Sequence, residues 1–466
     1  MKQLKVILTL LVVGMLVFTA CGTPPTQPPP AEETEEEIEV EPEEETEEEA
    51  APEPTATPIV AEAGEGDIEI IYWNGLTGSD GVTMVEIVEQ FTQENPDVSV
   101  RVEMMEWGTY FDKLMTSLVS GDPPDLFLLH EYEIPQFASR GVLMETTDWY
   151  ASNGGTIPDD DFFPQTYDAL LYEGKRYGVP VDVHGWGVWI NRALFEEAGL
   201  DPDTPPANAE EFLAMARQLT LDENGNHPGD EGFDPDNVVQ WGTHVSWMRP
   251  TFLTTLWQFG GDWLDEDGNA TINGEEAQQA VQFWYDLIYE EHVAPKPAGF
   301  DSWQSFAADQ LAILPEGSWM LNFNKDNEVN WGVWPMIQFG DQPKTWTSSH
   351  VLYSPPSLAE DSEKTAAVRA LMEHISESGL TWATSGQPPA RTSSQDELTA
   401  EAYPSTVVFA ESFAEQGRYD TAHVNIQEIH AAYEPELDAI WNQTKSIEEG
   451  LNAANERIQT ILDRSN

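Results

Sequence analysis

The chain has 466 residues, with 84 acidic against 20 basic and a formal net charge of −64 at pH 7. That sign excludes nucleic acid as a partner, because neutralising phosphates needs clustered Lys and Arg, and a single cysteine excludes an internal disulfide. About 400 residues follow the acidic N-terminal tract, too many for one hydrophobic core, so two lobes or more are expected.

The N-terminus carries Lys2 and Lys5 and then an apolar run from Val6 to Phe18. The run is shorter than the roughly 20 residues that span a membrane, so residues 1–20 read as an export signal. Phe18-Thr19-Ala20-Cys21 resembles a lipobox: an apolar residue, then a small one before a cysteine that is acylated and becomes the mature N-terminus. Cys21 is expected to be the lipid attachment, since two acyl chains anchor stably where one does not. Residues 22–66 are Pro, Thr, Ala and Glu, with 14 glutamates between 31 and 53. Such a tract has almost nothing to bury and is expected to be a disordered tether.

From Asp67, period-two apolar spacing predicts a strand over 67–73, and Met84, Ile87, Val88 and Phe91 lie at helical spacing. "VSVRVEM" (98–104) is a second strand. Phe111, Leu114, Met115 and Leu118 mark a second helix that ends at "SGDPPD", before the apolar strand 126–129. This βαβαβ order implies a mainly parallel sheet flanked by helices, with ligands at the carboxyl ends of the strands. Here those ends are Trp73 and His130-Glu131-Tyr132. Beyond it, amphipathic helices are predicted over 208–220, 275–291, 364–376, 402–416 and 446–463. Trp189, Trp284 and Trp441 fall in periodic apolar segments and are expected in the core.

No G-x-S-x-G, Walker A, H-E-x-x-H or C-x-x-C signature is present. "DENGNHPGDEGF" spaces Asp222, Asn224 and Asn226 as a calcium loop does, but His227 and Phe233 stand where Gly and Glu are required, so a polar turn is expected. No metal, cofactor or catalytic residue is expected.

The ordered segments "SGDPPDLFLL", "LYEGKRYGVPVDVHGWGVWINRALFEEAGLD", "FGGDWLDEDGNATING", "DSWQSFAADQLAILPEGSW", "WGVWP" and "SGQPPAR" resemble the family 1 extracellular solute-binding proteins, the sugar-binding subunits of bacterial ABC importers related to maltose-binding protein. The resemblance implies an α/β type II periplasmic-binding-protein fold. Its N-terminal lobe would hold 67–182 and 338–380, and its C-terminal lobe 183–337 and 381–466, closing on a ligand in a hinged cleft. It implies a monomer on the outer face of the bacterial cytoplasmic membrane, anchored by lipid and delivering a mono- or oligosaccharide to permease subunits.

A sugar stacks its C–H face on an indole and exchanges hydrogen bonds with polar side chains, which suits a chain with 17 tryptophans. The loops that the resemblance puts at the cleft carry Trp73, Trp186, Trp247, Trp303 and Trp319. The expected polar contacts are His130, Glu131, Tyr132, His184, Arg249, His350 and Arg391, with Asn74 and Asp80 as further candidates. A secreted glycoside hydrolase, or the same fold binding a polyamine or peptide, are the alternatives.

Overall fold

The computed structural model describes residues 58–465. The export signal, Cys21 and the tether as far as residue 57 lie outside the described residues.

Three parallel strands open the first lobe as the periodicity predicts. After the edge strand β1 (Ile59–Ala63) come β2 (Ile68–Asn74), helix α1 (Ser79–Glu94), β3 (Val98–Met104), helix α2 (Trp107–Ser120) and β4 (Leu126–His130). β3 and β4 each pair with β2 in parallel. α1 buries Met84, Ile87, Val88 and Phe91, the one stripe that its spacing marked.

The chain then runs through β5 (Val179–Pro180) straight into β6 (His184–Asn191) of a second sheet. That lobe adds α3 (Met248–Gln258), α4 (Glu275–Tyr289), β7 (Ile313–Gly317), β8 (Trp331–Trp334) and β9 (Thr345–Ser348). One residue, Ser349, separates β9 from β10 (His350–Tyr353), which returns to the first sheet. α5 (Ser362–Glu377) covers the first lobe, and β11 (Gly417–Tyr419), α6 (Ile426–Trp441) and α7 (Ile447–Ser465) complete the second.

The first sheet has the order β1-β3-β2-β4-β10-β5, and the second β7-β6-β9-β11 with β8 also on β6. Every residue of β6 is buried. Its side chains alternate between two layers: Trp186, Val188 and Ile190 enter the core around Trp257, Trp284 and Trp441, while Trp189 faces Phe306, Phe409 and Phe413.

Three expectations need correction. The sheets are mixed, not mainly parallel, since only β2–β3, β2–β4 and β9–β11 run parallel. Strands that enter a lobe through the hinge run against their neighbours and need no helical crossover. The tether ends earlier than residue 66, because Ile59–Ala63 pairs antiparallel with β3 over five residues. The lobe boundaries also move: β9 lies in the second sheet, so the return crossing is at Ser349 and not at 338, and Trp382 and Ala390 pack in the first core.

Candidate functional site

The crossing from β5 to β6 puts Asp182, fully buried, at the junction of the lobes. Its carboxylate meets His184 Nδ1 at 2.9 Å and His350 Nδ1 at 2.8 Å, and accepts from the His350 backbone N–H and Trp382 Nε1, each at 2.9 Å. Burial works against the charge, but the two imidazoles and these donors hold the carboxyl well below its usual range. An ionised carboxylate only accepts, so both rings carry a proton on Nδ1 and turn Nε2 away from Asp182. Burial, reinforced by His350, pushes His184 down to about 3. His130 at the end of β4 is likewise held well below the usual imidazole range, first by burial.

His350 stands directly opposite His130 in the β10–β4 ladder. Trp107, the first residue of α2, lies over both rings, with its centroid 4.8 Å from His130 and 5.8 Å from His350, nearly parallel to the latter. Gly75 makes this possible, because a Cβ there would stand 2.2 Å from the Trp107 ring.

The second lobe builds an indole wall. Glu316 in β7 is buried and accepts from Trp247 Nε1 at 3.1 Å, Trp303 Nε1 at 3.0 Å and the Gly317 N–H at 2.8 Å. Burial raises its carboxyl to about 7 against the pull of those donors. Trp247, at the N-cap of α3, has φ of 46° and is 56% exposed. A bulky residue held in left-handed backbone with its ring in solvent is a strained conformation of the kind kept at ligand sites. Trp319 packs 5.9 Å from Trp186 and edge-on to Trp247. Gly317 gives it room, since a Cβ would meet its ring at 2.2 Å.

Between these walls lies a cleft of about 1140 Å³. Of the sequence candidates, His130, Tyr132, His184, Trp247, Arg249, Trp303, Trp319 and His350 line it, and so does Asp80. Four do not. Trp73 lies under Lys113, whose Nζ is 3.8 Å from its ring. Trp186 is buried beneath Trp319. Glu131 accepts from Ser348 Oγ at 2.7 Å and the Ser349 N–H at 2.6 Å, and so braces the return crossing. Arg391 is buried against Asp161 and Ser376. Asn74 spends its carbonyl on the Leu76 N–H. Asp222, flagged by calcium-loop spacing, accepts N–H donors from Asn224, Asn226 and Asp234, as a polar turn would.

Residues that the sequence reading missed include Trp107, Trp346, Gln387 and His430. Arg249 Nη1 donates to His430 Nδ1 at 2.5 Å, so His430 carries its proton on Nε2 and gives it to Asp420 at 2.8 Å. The lobes also meet at Gln427, which bonds Gln136 and Glu133.

Residues 74–378 match the family model described as "Bacterial extracellular solute-binding protein". The chain belongs to that family. It is 24% identical over 280 residues to an arabinooligosaccharide-binding protein of Halalkalibacterium halodurans, covering 58% of each chain. It is 22% identical over 237 residues to a mannitol-binding protein of Pseudomonas aeruginosa, covering 50% of each. The chain thus spans about half to three-fifths of the length of the curated relatives it matches. In fold it is similar to a substrate-binding protein of Listeria monocytogenes in complex with cycloalternan, with TM-score 0.72, 23% identity, and coverage of 85% of this chain and 99% of that one. A solute-binding protein of Thermotoga lettingae bound with α-D-tagatose gives TM-score 0.72 at 21% identity, with coverage of 84% and 99%. The two-lobed type II architecture of this family is therefore the fold of this chain. Among the described residues no helix is long and apolar enough to cross a membrane.

Proposed function

We propose that this chain is the extracytoplasmic solute-binding lipoprotein of an ABC importer and takes a carbohydrate between its lobes, with Cys21 as its lipid anchor. One observation carries the reading: the cleft is walled by five indoles, Trp107, Trp247, Trp303, Trp319 and Trp346, interleaved with groups that accept or donate hydrogen bonds. Sugars present an apolar face and a hydroxylated edge together, and such a wall matches both. A volume of about 1140 Å³ lies above the usual ~300–1,000 Å³ of small-molecule pockets, which favours an oligosaccharide over a single ring. The sugars named for the relatives and fold neighbours point the same way. Function here is closure, and its driving force is the difference in ligand affinity between open and closed forms.

A second reading has its own support. Asp80, Asp112, Glu133, Asp326 and Glu434 face the cleft against the single guanidinium of Arg249, a balance that also suits a polyamine. A thermal-shift and calorimetric panel of arabino-oligosaccharides, malto-oligosaccharides, mannitol and spermidine separates the two. A ligand at 100 times its Kd adds about 2.7 kcal/mol of stability. A response to spermidine alone would sink the sugar reading, and cleavage of the oligosaccharides would turn it into a hydrolase.

A further inference from the structure

We propose that the floor of the cleft binds a divalent transition-metal ion, Zn²⁺ by ligand chemistry, through His130, His184 and His350. A ring nitrogen of each lies within 4.8 Å of those of the other two, and all three residues are buried. The ring centroids are 4.1 Å apart for His184 and His350, 5.2 Å for His130 and His350, and 5.5 Å for His130 and His184.

Structural hydrogen bonding accounts for only half of this arrangement. Asp182 occupies Nδ1 of His184 and His350, and Glu133 Oε2 stands 3.4 Å from Nδ1 of His130. Asp182 thus orients the His184 and His350 rings from behind and leaves Nε2 of each for the cleft that all three residues line, while His130 Nδ1 is buried without a hydrogen-bond partner among the described residues. Ring nitrogens gathered in one place invite a cation or a proton donor that they can share. A carboxylate behind a ligating imidazole is the usual means of fixing its tautomer and raising its basicity toward a metal, and Asp182 is so placed for two of the three. Three imidazole nitrogens with a further position open to the cleft suit zinc, and make a poor site for magnesium or calcium, which want oxygen.

The geometry carries a mechanical corollary. Tetrahedral zinc with bonds of ~2.05 Å needs nitrogens ~3.3 Å apart, so the rings must draw together. His130 and His350 sit on adjacent strands of the first sheet, whereas His184 is the first residue of β6 in the second. An ion at this point ties the lobes together at the hinge, and its open position faces the ligand space beneath Trp107.

The assignment rests on the histidine geometry and is independent of the sugar reading. To test it, the full chain is stripped with a chelator and titrated with ZnCl₂ in a large excess of Mg²⁺, which saturates surface carboxylates and ignores imidazoles. One saturable zinc per chain is expected, and Co²⁺ should give the visible absorption bands of a tetrahedral nitrogen site. His130→Gln and His184→Gln should each weaken zinc at least tenfold, and Asp182→Asn by ten- to a hundredfold, with unchanged circular dichroism. If His184→Gln fails to fold, His130→Gln decides. Absence of saturable zinc under excess Mg²⁺ would overturn the site, and so would stoichiometric zinc undiminished in the folded histidine variants. Sugar titrations of the metal-free chain report separately on the proposed function.

Discussion

The two walls of the cleft are built on different plans. The first lobe offers one indole, Trp107, beside Asp80, Asp112, His130 and Glu133, while the second offers four, Trp247, Trp303, Trp319 and Trp346, beside His184, Arg249, Asp326, His430 and Glu434. Stacking surface needs no exact partner geometry, whereas carboxylates and imidazoles discriminate only when a hydroxyl is brought to them at hydrogen-bond distance. Under the proposed carbohydrate reading, most of the stacking surface belongs to the second lobe, and closure would add the first lobe's polar contacts. The contrast also separates two classes of tryptophan within the second lobe, those at the cleft, of which Glu316 clamps Trp247 and Trp303, and those that fill its core.

The largest expected effect tests that separation. Trp284 is buried in α4, with its Nε1 bonded to Thr255 Oγ1 at 2.8 Å, so Trp284→Ala should cost about 3–5 kcal/mol of stability as a cavity. Chemical denaturation measures it, and a loss below about 1 kcal/mol would abolish the distinction between the two classes. Trp319→Ala should do the reverse, weakening carbohydrate binding by about 2 kcal/mol with little change in the unliganded Tm. Calorimetric titration beside melting reads both quantities. Glu316→Leu frees the Trp247 and Trp303 indoles without removing them. A loss of about 1 kcal/mol in affinity is expected, the scale of a net hydrogen bond or two, and unchanged affinity would show that the clamp is idle.

A smaller effect concerns pH. Burial raises the Glu131 carboxyl to about 8, against the pull of its bonds to Ser349 and Ser348. A carboxyl raised in the folded state stabilises it below the unfolded value of ~4.3 and loses that contribution as pH climbs through the folded value. The buried histidines act oppositely, so the test is a difference: Glu131→Gln should gain Tm relative to the parent chain between pH 5 and pH 8.5. A pH-independent difference would mean that Glu131 stays ionised. The smallest effect is expected at Trp73→Ala, on the first lobe but away from the cleft, where sugar affinity should stay within error. Any clear loss would return Trp73 to the site.

What the sequence made legible followed from periodicity and order. The βαβαβ run from Ile68 to His130 has amphipathic helices and alternating strands, and eight of twelve ligand candidates line the cleft, six at strand ends or in turns and loops and two, Arg249 and Trp303, in the first turns of helices. Where that signal disappears, so did the reading. α3 is buried from Pro250 to Gln258, so it shows no polar face to mark it as a helix. α6 carries Pro435 inside it, which masks the helical pattern that brings His430 to the cleft. Asp182 and His350 are 168 residues apart in the chain, and no local pattern announces such a pair. Trp107 was invisible for a related reason, since its place depends on a glycine 32 positions earlier that leaves space for its ring.

The β1–β3 ladder determines how the protein bears load. β1 is hydrogen-bonded to β3 from Ile59 to Ala63, at the edge of the first sheet. Tension applied ahead of Ile59 therefore enters the first lobe through this seam and reaches neither the Asp182 nor the Ser349 crossing on its way. On the proposed lipid anchor the first lobe would be the fixed jaw and the second the swinging one, and a pull on the N-terminal segment would leave the angle between them to the ligand.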